Sequence, residues 1–303
     1  MKIDCVYLTM HKFDLRLTRI CVASIRYWYP EIPIVLYKDE SFGIFDTTEI
    51  ERCWNVSVLD TPQKKIGWGF GHLDLLLLER PHRFLSIDVD IAFIGRVLDL
   101  LEASDEDVVV DREDHPPIPA PAFSGIYFDL EKLRGLDPAF VFPGFAFNAG
   151  QFVANTGVFR RSDFDGLVEW GSPRLPKRPE IFNMSDQGVF NYRVMTLLAE
   201  GRLTLARVPF MRWGAEQISR IDVRQLTQDS PYPLLIHWAG LRKPRLREMP
   251  GAEILLKFED FYYSRIPFAA WRRPVRILRE RAANILSKVR GRLTGTVARQ
   301  YLT

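Results

Sequence analysis

The sequence predicts a single α/β domain built around a mostly parallel β-sheet. Short apolar runs of strand length alternate with segments of helical periodicity, which is typical of successive strand–helix–strand units. The chain has 303 residues, of which 47% are hydrophobic and 26% are charged, as in a globular protein with a sizeable core. We expect this domain to span residues 1–263 and a basic tail to span residues 264–303.

The first elements follow one another from the N-terminus. We expect a strand in "IDCVYL" (3–8), a helix from Leu15 to Trp28, a second strand in "IPIVLY" (32–37) and a third in "CWNVSVL" (53–59). No G-x-G-x-x-G follows the first strand, and "GWGFG" at 67–71 precedes a helix with the wrong spacing. A dinucleotide-binding fold is therefore disfavoured.

A fourth strand follows the next helical pattern. Pro81 ends that pattern, and residues 84–87 then carry Asp88 to the carboxyl end of a buried strand. In open α/β sheets, ligands bind at this edge. The Pro-rich stretch "EDHPPIPAPAFSGIY" (113–127) is expected to be a loop. The apolar face of the preceding helix consists of Phe70, Leu73 and Leu77.

Positive charge is concentrated in the tail. The formal net charge is +3, but the residues from Ser264 onward include ten basic residues and one acid, whereas the remainder has 31 basic and 37 acidic residues. The body also lacks zinc-finger and RNP patterns, so no nucleic-acid partner is expected. No apolar run reaches the roughly 18 residues of a membrane span, and the N-terminus has no signal-peptide pattern. The three cysteines lack C-x-x-C spacing, which favours a reducing cytoplasmic compartment without a disulfide framework.

Two carboxylates end the fourth strand, in the stretch "RFLSIDVDIAFIG" (83–95). Asp88 and Asp90 flank a single valine and are surrounded by apolar residues on both sides. An isolated Asp-x-Asp is expected about once by chance in a chain of this length. Burying an unpaired carboxylate costs several kcal/mol, so this buried context favours a nearby positive charge. On the residues alone, a metal site and a capping or turn role remain equally open.

Four stretches, taken in order, resemble the retaining nucleotide-sugar glycosyltransferases of family 8, which include glycogenin and bacterial lipopolysaccharide galactosyltransferases. The resemblance covers residues 1 to about 244 and is strongest from residue 83 onward. It implies a GT-A fold and transfer of a hexose from a nucleotide diphosphate sugar, a UDP-sugar, to a glycan or lipid-linked acceptor. The four stretches are "RFLSIDVDIAFIG" (83–95), "FNAGQFVAN" (147–155), "MSDQGVFNYRV" (184–194) and "LLIHWAGLRKP" (234–244).

The resemblance implies a metal site made of Asp88, Asp90 and His237. A divalent cation held there would act as a Lewis acid and neutralise the charge that develops on the leaving diphosphate. Oxygen ligands suit Mg²⁺ or Mn²⁺, and the histidine moves the preference toward Mn²⁺. In the motif "HWAGLRKP", Gly240 would permit close approach to phosphate and Lys243 would offer it a positive charge.

The resemblance also places residues around the donor sugar. Asn148, Ala149 and Gly150 would line it, because an amide can bond sugar hydroxyls and glycine lets the chain pass close to a ligand. Asp186 would accept hydrogen bonds from the sugar, and Gln187 would lie near the anomeric carbon. An amide is a poor nucleophile, so a double displacement through two carboxylates is not supported. We expect substitution on the same face, with the leaving phosphate oxygen accepting the acceptor's proton.

The sequence departs from the family pattern at three places. Gly188 stands where the family often has a second acid, and His72 stands roughly where it often has a Lys or Arg. The family's usual acidic residue after the first strand is missing from "YLTMHKF" (7–13). We still expect the base to lie near that strand's end. The three residues expected there are Tyr7, Leu8 and Thr9.

Two other functions fit parts of the pattern. One is a catalytically silent nucleotide-sugar-binding scaffold at the membrane, which would differ from an enzyme only in turnover. The other is a sugar nucleotidyltransferase, which shares the fold class but would normally show a Gly-rich basic loop after the first strand. Neither Pro-rich stretch, 116–127 or 172–182, specifies the acceptor.

The tail predicts a basic amphipathic helix after Pro274, with Phe268 and Trp271 before it. We expect this helix to attach the protein to the inner face of the membrane through anionic lipid, as a peripheral protein. The alternative is a helix packed on the domain with a solvated basic side. The apolar positions at helical spacing are Leu278, Ala282, Ile285, Leu286, Val289 and Leu293, and the basic ones are Arg276, Arg279, Lys288, Arg290 and Arg292.

Overall fold

The computed structural model describes residues 1–67, 69–113, 118–240, 246–279 and 282. Strands and helices alternate along them, as the sequence predicts. The strands are β1 Cys5–His11, β2 Ile34–Asp39, β3 Val56–Val58, β4 Arg83–Asp88, β5 Ile91–Phe93, β6 Val108–Asp111, β7 Gln151–Asn155, β8 Val168–Glu169, β9 Leu175–Pro176, β10 Leu205–Val208, β11 Met211–Trp213 and β12 Leu235–His237.

The helices pack around these strands. They are α1 Leu15–Trp28, α2 Thr48–Trp54, α3 Gly71–Leu76, α4 Val97–Leu101, α5 Ala120–Ile126, α6 Leu130–Leu136, α7 Pro179–Phe182, α8 Asp186–Ala199, α9 Gly214–Ser219, α10 Ala252–Ser264 and α11, which covers residues 269–279. Within the described residues, no helix is both long enough and apolar enough to cross a membrane.

The main sheet has seven strands in the order β10-β6-β7-β4-β1-β2-β3. Six of them run parallel and β7 runs antiparallel to its neighbours β4 and β6. The predicted α/β class with a mostly parallel sheet is therefore confirmed. The carboxyl ends of β1 and β4 lie side by side, with Thr9 paired to Asp88.

A second, three-stranded sheet holds β12 between β11 and β5. β5 follows β4 after a two-residue turn, and β12 pairs antiparallel with it, so that His237 lies opposite Ile91. β11 runs parallel to β12 and pairs Trp213 with His237. This small sheet brings the C-terminal part of the chain to the end of β4.

Both faces of the main sheet are buried. Along β1, Val6 and Leu8 face one hydrophobic cluster, which includes α1 and α10, while Cys5 and Tyr7 face a second one, which includes α3 and α8. Strands that are covered on both faces read as continuous apolar runs rather than as alternating ones. This burial explains why the sequence pattern located them.

Two elements differ from the sequence-based expectation. The predicted third strand began at Cys53, but Cys53 and Trp54 form the end of α2, which buries Ile50 and Trp54 at helical spacing. Asn55 ends that helix in the left-handed conformation, with φ of 49°, and β3 follows it. The expected loop at 113–127 contains the helix α5, which begins after Pro119 and holds a second proline in its first turn, where no backbone N–H is needed.

We predict that Gly95→Ala destabilises the fold by about 1–3 kcal/mol through overpacking. A Cβ on Gly95 would lie 2.0 Å from the carbonyl oxygen of Tyr232, so the backbone must shift where the small sheet meets the domain. Urea unfolding followed by circular dichroism measures the change. Gly135→Ala is the matched control, because a Cβ in that helix meets nothing within 4 Å, and it should leave stability unchanged or slightly higher. Equal stability of the two variants would contradict this packing.

Candidate metal and nucleotide-sugar site

The end of β4 and the end of β12 bring three candidate metal ligands together. Asp88 is the last residue of β4, and Asp90 lies in the turn before β5. The backbone N–H of Trp238 donates to the carbonyl of Asp90 at 3.0 Å, which fixes the turn against β12. His237 is thereby placed beside both aspartates, although it is far from them in sequence.

These three side chains form one compact cluster. Their candidate ligand atoms all lie within 4.8 Å of one another. Nε2 of His237 is 3.2 Å from Oδ1 of Asp90 and 3.6 Å from Oδ2 of Asp88. His237 is buried and Asp88 is partly exposed, so the cluster is open on one side. Two carboxylates and one imidazole are a donor set that fits Mn²⁺ or Mg²⁺.

Gln151 holds the imidazole ring of His237. Its side-chain oxygen lies 2.7 Å from Nδ1 of the imidazole, and Gln151 is completely buried. Because an amide oxygen can only accept, Nδ1 donates to it and Nε2 faces the aspartates. Such a partner behind a histidine orients the ring and stabilises the form that binds a metal.

Gly150 is the close-approach residue beside the cluster. Its carbonyl accepts from the N–H of Asp88 at 2.8 Å, which ties the start of β7 to the end of β4. A Cβ at this position would lie 2.4 Å from Oδ2 of Asp88 and 2.6 Å from Cε1 of His237. Only glycine fits without displacing the candidate ligands, in agreement with the reason for which the sequence analysis selected it.

His72 lies behind Asp88. Its Nδ1 is 2.7 Å from the hydroxyl of Ser86, and its Nε2 is 3.0 Å from Oδ1 of Asp88. Burial disfavours the imidazolium, but the hydrogen bond and charge of Asp88, with the charge of Asp186, outweigh it and raise the pKa of His72. A histidine therefore occupies the place where the family pattern has a longer cation.

Asp186 begins helix α8 on the other side of His72. Burial raises the pKa of its carboxyl group to about 6, with His72 opposing the rise and Asp88 adding to it. The carboxylate packs on the turn at Gly69, where φ is +69° and a Cβ would lie 2.0 Å from Oδ1 of Asp186. Within the part of the chain that the structure covers, Oδ2 of Asp186 has no hydrogen-bond partner.

The amide of Gln187 is engaged on both sides. Its oxygen accepts from the N–H of Ala149 at 3.1 Å, and its nitrogen donates to the carbonyl of Ile126 at 3.0 Å. Gln187 therefore links the "FNAG" segment to the end of α5. With both polar atoms held, this amide is a positioning group in the structure rather than a mobile nucleophile.

The "FNAG" segment is clamped from two directions. Asn191 of α8 is fully buried and bonds both the N–H and the carbonyl of Phe147, at 2.9 and 2.8 Å. The N–H of Asn148 donates to Glu113 at 2.6 Å, and the side-chain oxygen of Asn148 accepts from the N–H of Gly150 at 2.8 Å. This network holds Asn148, Ala149 and Gly150 against the Asp88–Asp90–His237 cluster.

The three residues expected at the base are divided between the core and the site. Leu8 is fully buried in the hydrophobic core, and the hydroxyl of Tyr7 lies 3.1 Å from Nε2 of His82. Only Thr9 reaches the carboxyl edge, next to Asp88, and its hydroxyl has no hydrogen-bond partner among the described residues. The structure thus places Thr9 at the site, whereas the side chains of Tyr7 and Leu8 pack in the interior of the domain.

The motif after His237 is described in part. Gly240 is exposed with φ of +64°, so it supplies the left-handed turn that follows Trp238 and Ala239. Lys243, the expected diphosphate contact, lies outside the described residues, as does the rest of 241–245.

Several site residues were missed by sequence reasoning. Gln151 and Asn191 lie inside the stretches "FNAGQFVAN" and "MSDQGVFNYRV" but were given no role of their own, and Gly69 was given none either. A fully buried glutamine inside the strand after "FNAG" was a usable signal for Gln151, since buried amides require partners. Gly69 lay in "GWGFG", which was considered only as a dinucleotide motif.

We predict that Asp90→Asn abolishes Mn²⁺ binding while the protein stays folded. The substitution removes one anionic ligand and relieves repulsion between neighbouring carboxylates, so the metal-free variant should be as stable as the wild type or slightly more stable. Thermal unfolding with excess Mn²⁺ and with EDTA is the measurement, because a ligand that binds only the folded state raises the melting temperature. Exposed Asp229 provides the control, and Asp229→Asn should respond to Mn²⁺ as the wild type does. A full Mn²⁺ response from Asp90→Asn would exclude the proposed ligand set.

We predict that Gln151→Leu weakens Mn²⁺ affinity by about 10–100-fold, the usual effect of removing a partner behind a histidine ligand. The leucine cannot accept from Nδ1 of His237, so the ring loses its orientation. Gln151→Glu keeps an acceptor at the same place and should bind Mn²⁺ more tightly than the leucine variant. Isothermal titration with Mn²⁺ distinguishes them, and unchanged affinity in Gln151→Leu would show that His237 needs no such partner.

No protein-family model matches the sequence, and the comparison with curated proteins finds no match. Solved structures do match the fold. The bifunctional glycosyltransferase WbbM superposes with a TM-score of 0.55 over 87% of this chain, at 13% identity. The chain spans about half of that protein, 52% of its length.

Two further glycosyltransferase structures are similar at a greater distance. The galactosyltransferase LgtC, solved with donor and acceptor sugar analogues, has a TM-score of 0.47 and 14% identity, over 88% of this chain and 98% of its own. GlyE of Streptococcus pneumoniae has a TM-score of 0.48 and 14% identity, over 84% of this chain and 60% of its own. At this level of identity the likeness to WbbM concerns the fold: the chain has the α/β fold of a GT-A glycosyltransferase.

Proposed function

We propose that this chain is a metal-dependent retaining glycosyltransferase of the family 8 type. It transfers a hexose from a nucleotide diphosphate sugar, a UDP-sugar, to a glycan or lipid-linked acceptor. The observation that carries the proposal is the Asp88–Asp90–His237 cluster at the carboxyl edge of the sheet, in contact with Gly150. Ligands bind at that edge in folds of this class.

The cluster would position the leaving diphosphate. Asp88, Asp90 and His237 would hold a Mn²⁺ or Mg²⁺ ion, which when bound neutralises charge on the leaving diphosphate. Gly240 lets the chain approach the phosphates, and Lys243 adds a positive charge in the same motif. His72 keeps Asp88 oriented from behind through its 3.0 Å contact.

The donor sugar lies between the "FNAG" segment and the start of α8. Asp186 is buried, and its Oδ2 has no hydrogen-bond partner among the described residues, so a sugar hydroxyl that reaches this oxygen would donate to it. Asn148 uses its oxygen on Gly150, which leaves its amide N–H groups for another hydroxyl. Together these contacts fix the orientation of the hexose before reaction, which lowers the barrier by positioning.

The mechanism is a same-face substitution. Gln187 has both amide atoms engaged with Ala149 and Ile126, so it holds the sugar pocket in place and forms no bond to the anomeric carbon. The acceptor hydroxyl attacks from the side of the departing diphosphate, whose oxygen takes the proton. The anomeric configuration is therefore retained.

The nucleoside base binds at the ends of β1 and β2. Thr9 lies at that edge, paired with Asp88, and its hydroxyl is buried without a partner among the described residues. The ring of Phe13 is 71% exposed and lies 5.7 Å from the ring of Phe42, so the two provide an aromatic surface for a base. Tyr7 and Leu8 support this edge from the core.

We also propose that the protein works in the cytoplasm at the inner face of the membrane, because the basic tail suits anionic lipid and a lipid-linked acceptor would be met there. Most of that tail, residues 280–303 apart from Ala282, lies outside the described residues. The division into a domain at 1–263 and a tail at 264–303 is part of the same proposal.

We predict that the protein hydrolyses or transfers one class of nucleotide sugar only with a divalent cation, and that an α-configured donor gives an α-linked product. Asp186→Asn keeps the size of the side chain but weakens a charge-assisted hydrogen bond, so transfer should fall about 10–100-fold. A panel of nucleotide sugars assayed with Mn²⁺ and with EDTA identifies the donor, and proton NMR of the product gives the anomeric configuration.

Asp229→Asn is again the control and should keep full activity. A β-linked product would refute the same-face mechanism while leaving the enzyme class intact. Binding of a nucleotide sugar without turnover would indicate a silent scaffold, and formation of a nucleotide sugar from a sugar phosphate would indicate a nucleotidyltransferase.

A further inference from the structure

Helix α11 presents a row of apolar side chains to solvent. The carbonyl of Phe268 accepts from the N–H groups of Trp271 and Arg272, both at 3.0 Å, and so starts the helix. Phe268 and Trp271 are each 78% exposed, Leu278 is 62% exposed and Val275 is 41% exposed. Trp271, Val275 and Leu278 are spaced by four and three residues, which places them on one side of the helix, and exposed Phe268 immediately precedes it with φ of +58°.

The other side of α11 is fixed to the domain by ion pairs. Arg272 donates to Glu49 at 2.9 Å, and Arg276 contacts the same carboxylate. Arg273 donates to Glu259 at 2.8 Å and to Asp260 at 2.6 Å.

The acceptors of these pairs are themselves held in place. The carboxylate of Glu49 also accepts from the hydroxyl of Tyr262 at 2.8 Å, and Glu259 is buried. Pairs to partly buried carboxylates order both partners more strongly than fully exposed pairs do. These ion pairs therefore fix the orientation of α11 on the domain, and this orientation leaves the apolar row facing solvent.

This arrangement reverses the role expected for the first turns of the tail. The sequence suggested that basic residues would meet lipid and that an apolar face would support them. In the structure, Arg272, Arg273 and Arg276 of α11 form ion pairs with the domain, and apolar side chains lie on the solvent-facing side of the helix. Basic charge continues beyond them, because residues 279–303 contain six basic residues and one acid, Glu280.

We propose that the row formed by Phe268, Trp271, Val275 and Leu278 inserts into the surface of an anionic lipid bilayer. From Trp271 to Leu278 the row is about 10 Å long at 1.5 Å per residue, which fits a helix lying in the plane of the interface. Tryptophan is enriched at that depth, because its ring is apolar and its N–H remains hydrated. The basic residues that follow bind the anionic headgroups, each contributing about 1 kcal/mol near the surface.

The size of the row favours lipid over a second copy of the chain. A stable protein interface buries about 800 Å² on each partner, with some 20–30 residues a side. Four side chains in one row fall well short of this. A bilayer needs no complementary shape, so a short row with a neighbouring basic segment is sufficient for reversible attachment.

The test is co-sedimentation of the full-length protein with vesicles of equal parts phosphatidylcholine and phosphatidylglycerol. The variant is Trp271→Glu with Leu278→Glu. The matched control is Ile44→Glu, because Ile44 is 85% exposed on another part of the surface. We expect the double variant to bind about tenfold or more weakly, because two apolar anchors are lost, and the control to bind as the wild type does. Wild-type binding should also persist in part at high salt, where headgroup attraction is screened.

Equal vesicle binding by the double variant and the wild type would overturn the proposal. So would binding that disappears completely at high salt, since it would then be due to charge alone. If sedimentation equilibrium shows a dimer that only the double variant disrupts, the row is an interface between copies and the proposal is wrong. The inference deepens the membrane location put forward with the proposed function, but vesicle binding is measured separately from catalysis. Donor hydrolysis without vesicles should be the same in all three proteins, and its absence from all three would contradict the proposed enzyme without changing the vesicle result.

Discussion

Two carboxylates held side by side at the end of a buried strand require a positive charge, and the candidate site is arranged around this requirement. Asp88 and Asp90 repel each other, and their neighbour His237 is held by Gln151 with Nε2 toward them. The buried amide oxygen of Gln151 accepts from Nδ1 and leaves Nε2 in position to coordinate a metal ion between the carboxylates.

The scaffold supplies this arrangement through strand pairing. β4 delivers Asp88, the antiparallel strand β7 brings Gly150 and Gln151 alongside it, and β12 brings His237 across β5. Because β7 runs antiparallel to β4, β7 starts at the carboxyl edge of the sheet, where the parallel strands end. The clamp of Asn191 on Phe147 then joins the "FNAG" segment to helix α8.

The sequence was informative where the pattern is local. Helix α1 was predicted with its bounds, Leu15–Trp28, because a buried apolar face repeats along it without interruption. The fourth strand and Asp88 at its end were predicted because the strand is buried on both faces. Asp90 and His237 were placed in the site by order of motifs, and the structure brings them within ligand distance.

The parts that sequence reasoning missed depend on contacts between distant residues. Gln151 matters because of His237, 86 residues away, and Gly69 matters because of Asp186. The side chains of Leu8 and Tyr7 point into two different hydrophobic clusters, one on each face of the main sheet. This burial depends on helices that cover both faces. Arg272 and Arg276 of α11 looked free in the sequence because Glu49, their partner, lies more than two hundred residues earlier.

The most direct test of the metal site is a crystal structure of the protein grown with Mn²⁺, with anomalous diffraction used to locate the ion. The account predicts one strong peak per chain, about 2.0–2.3 Å from an oxygen of Asp88, an oxygen of Asp90 and Nε2 of His237. Nδ1 of His237 should still donate to Gln151. A peak bound by other residues, or no peak between these three side chains at saturating Mn²⁺, would contradict it.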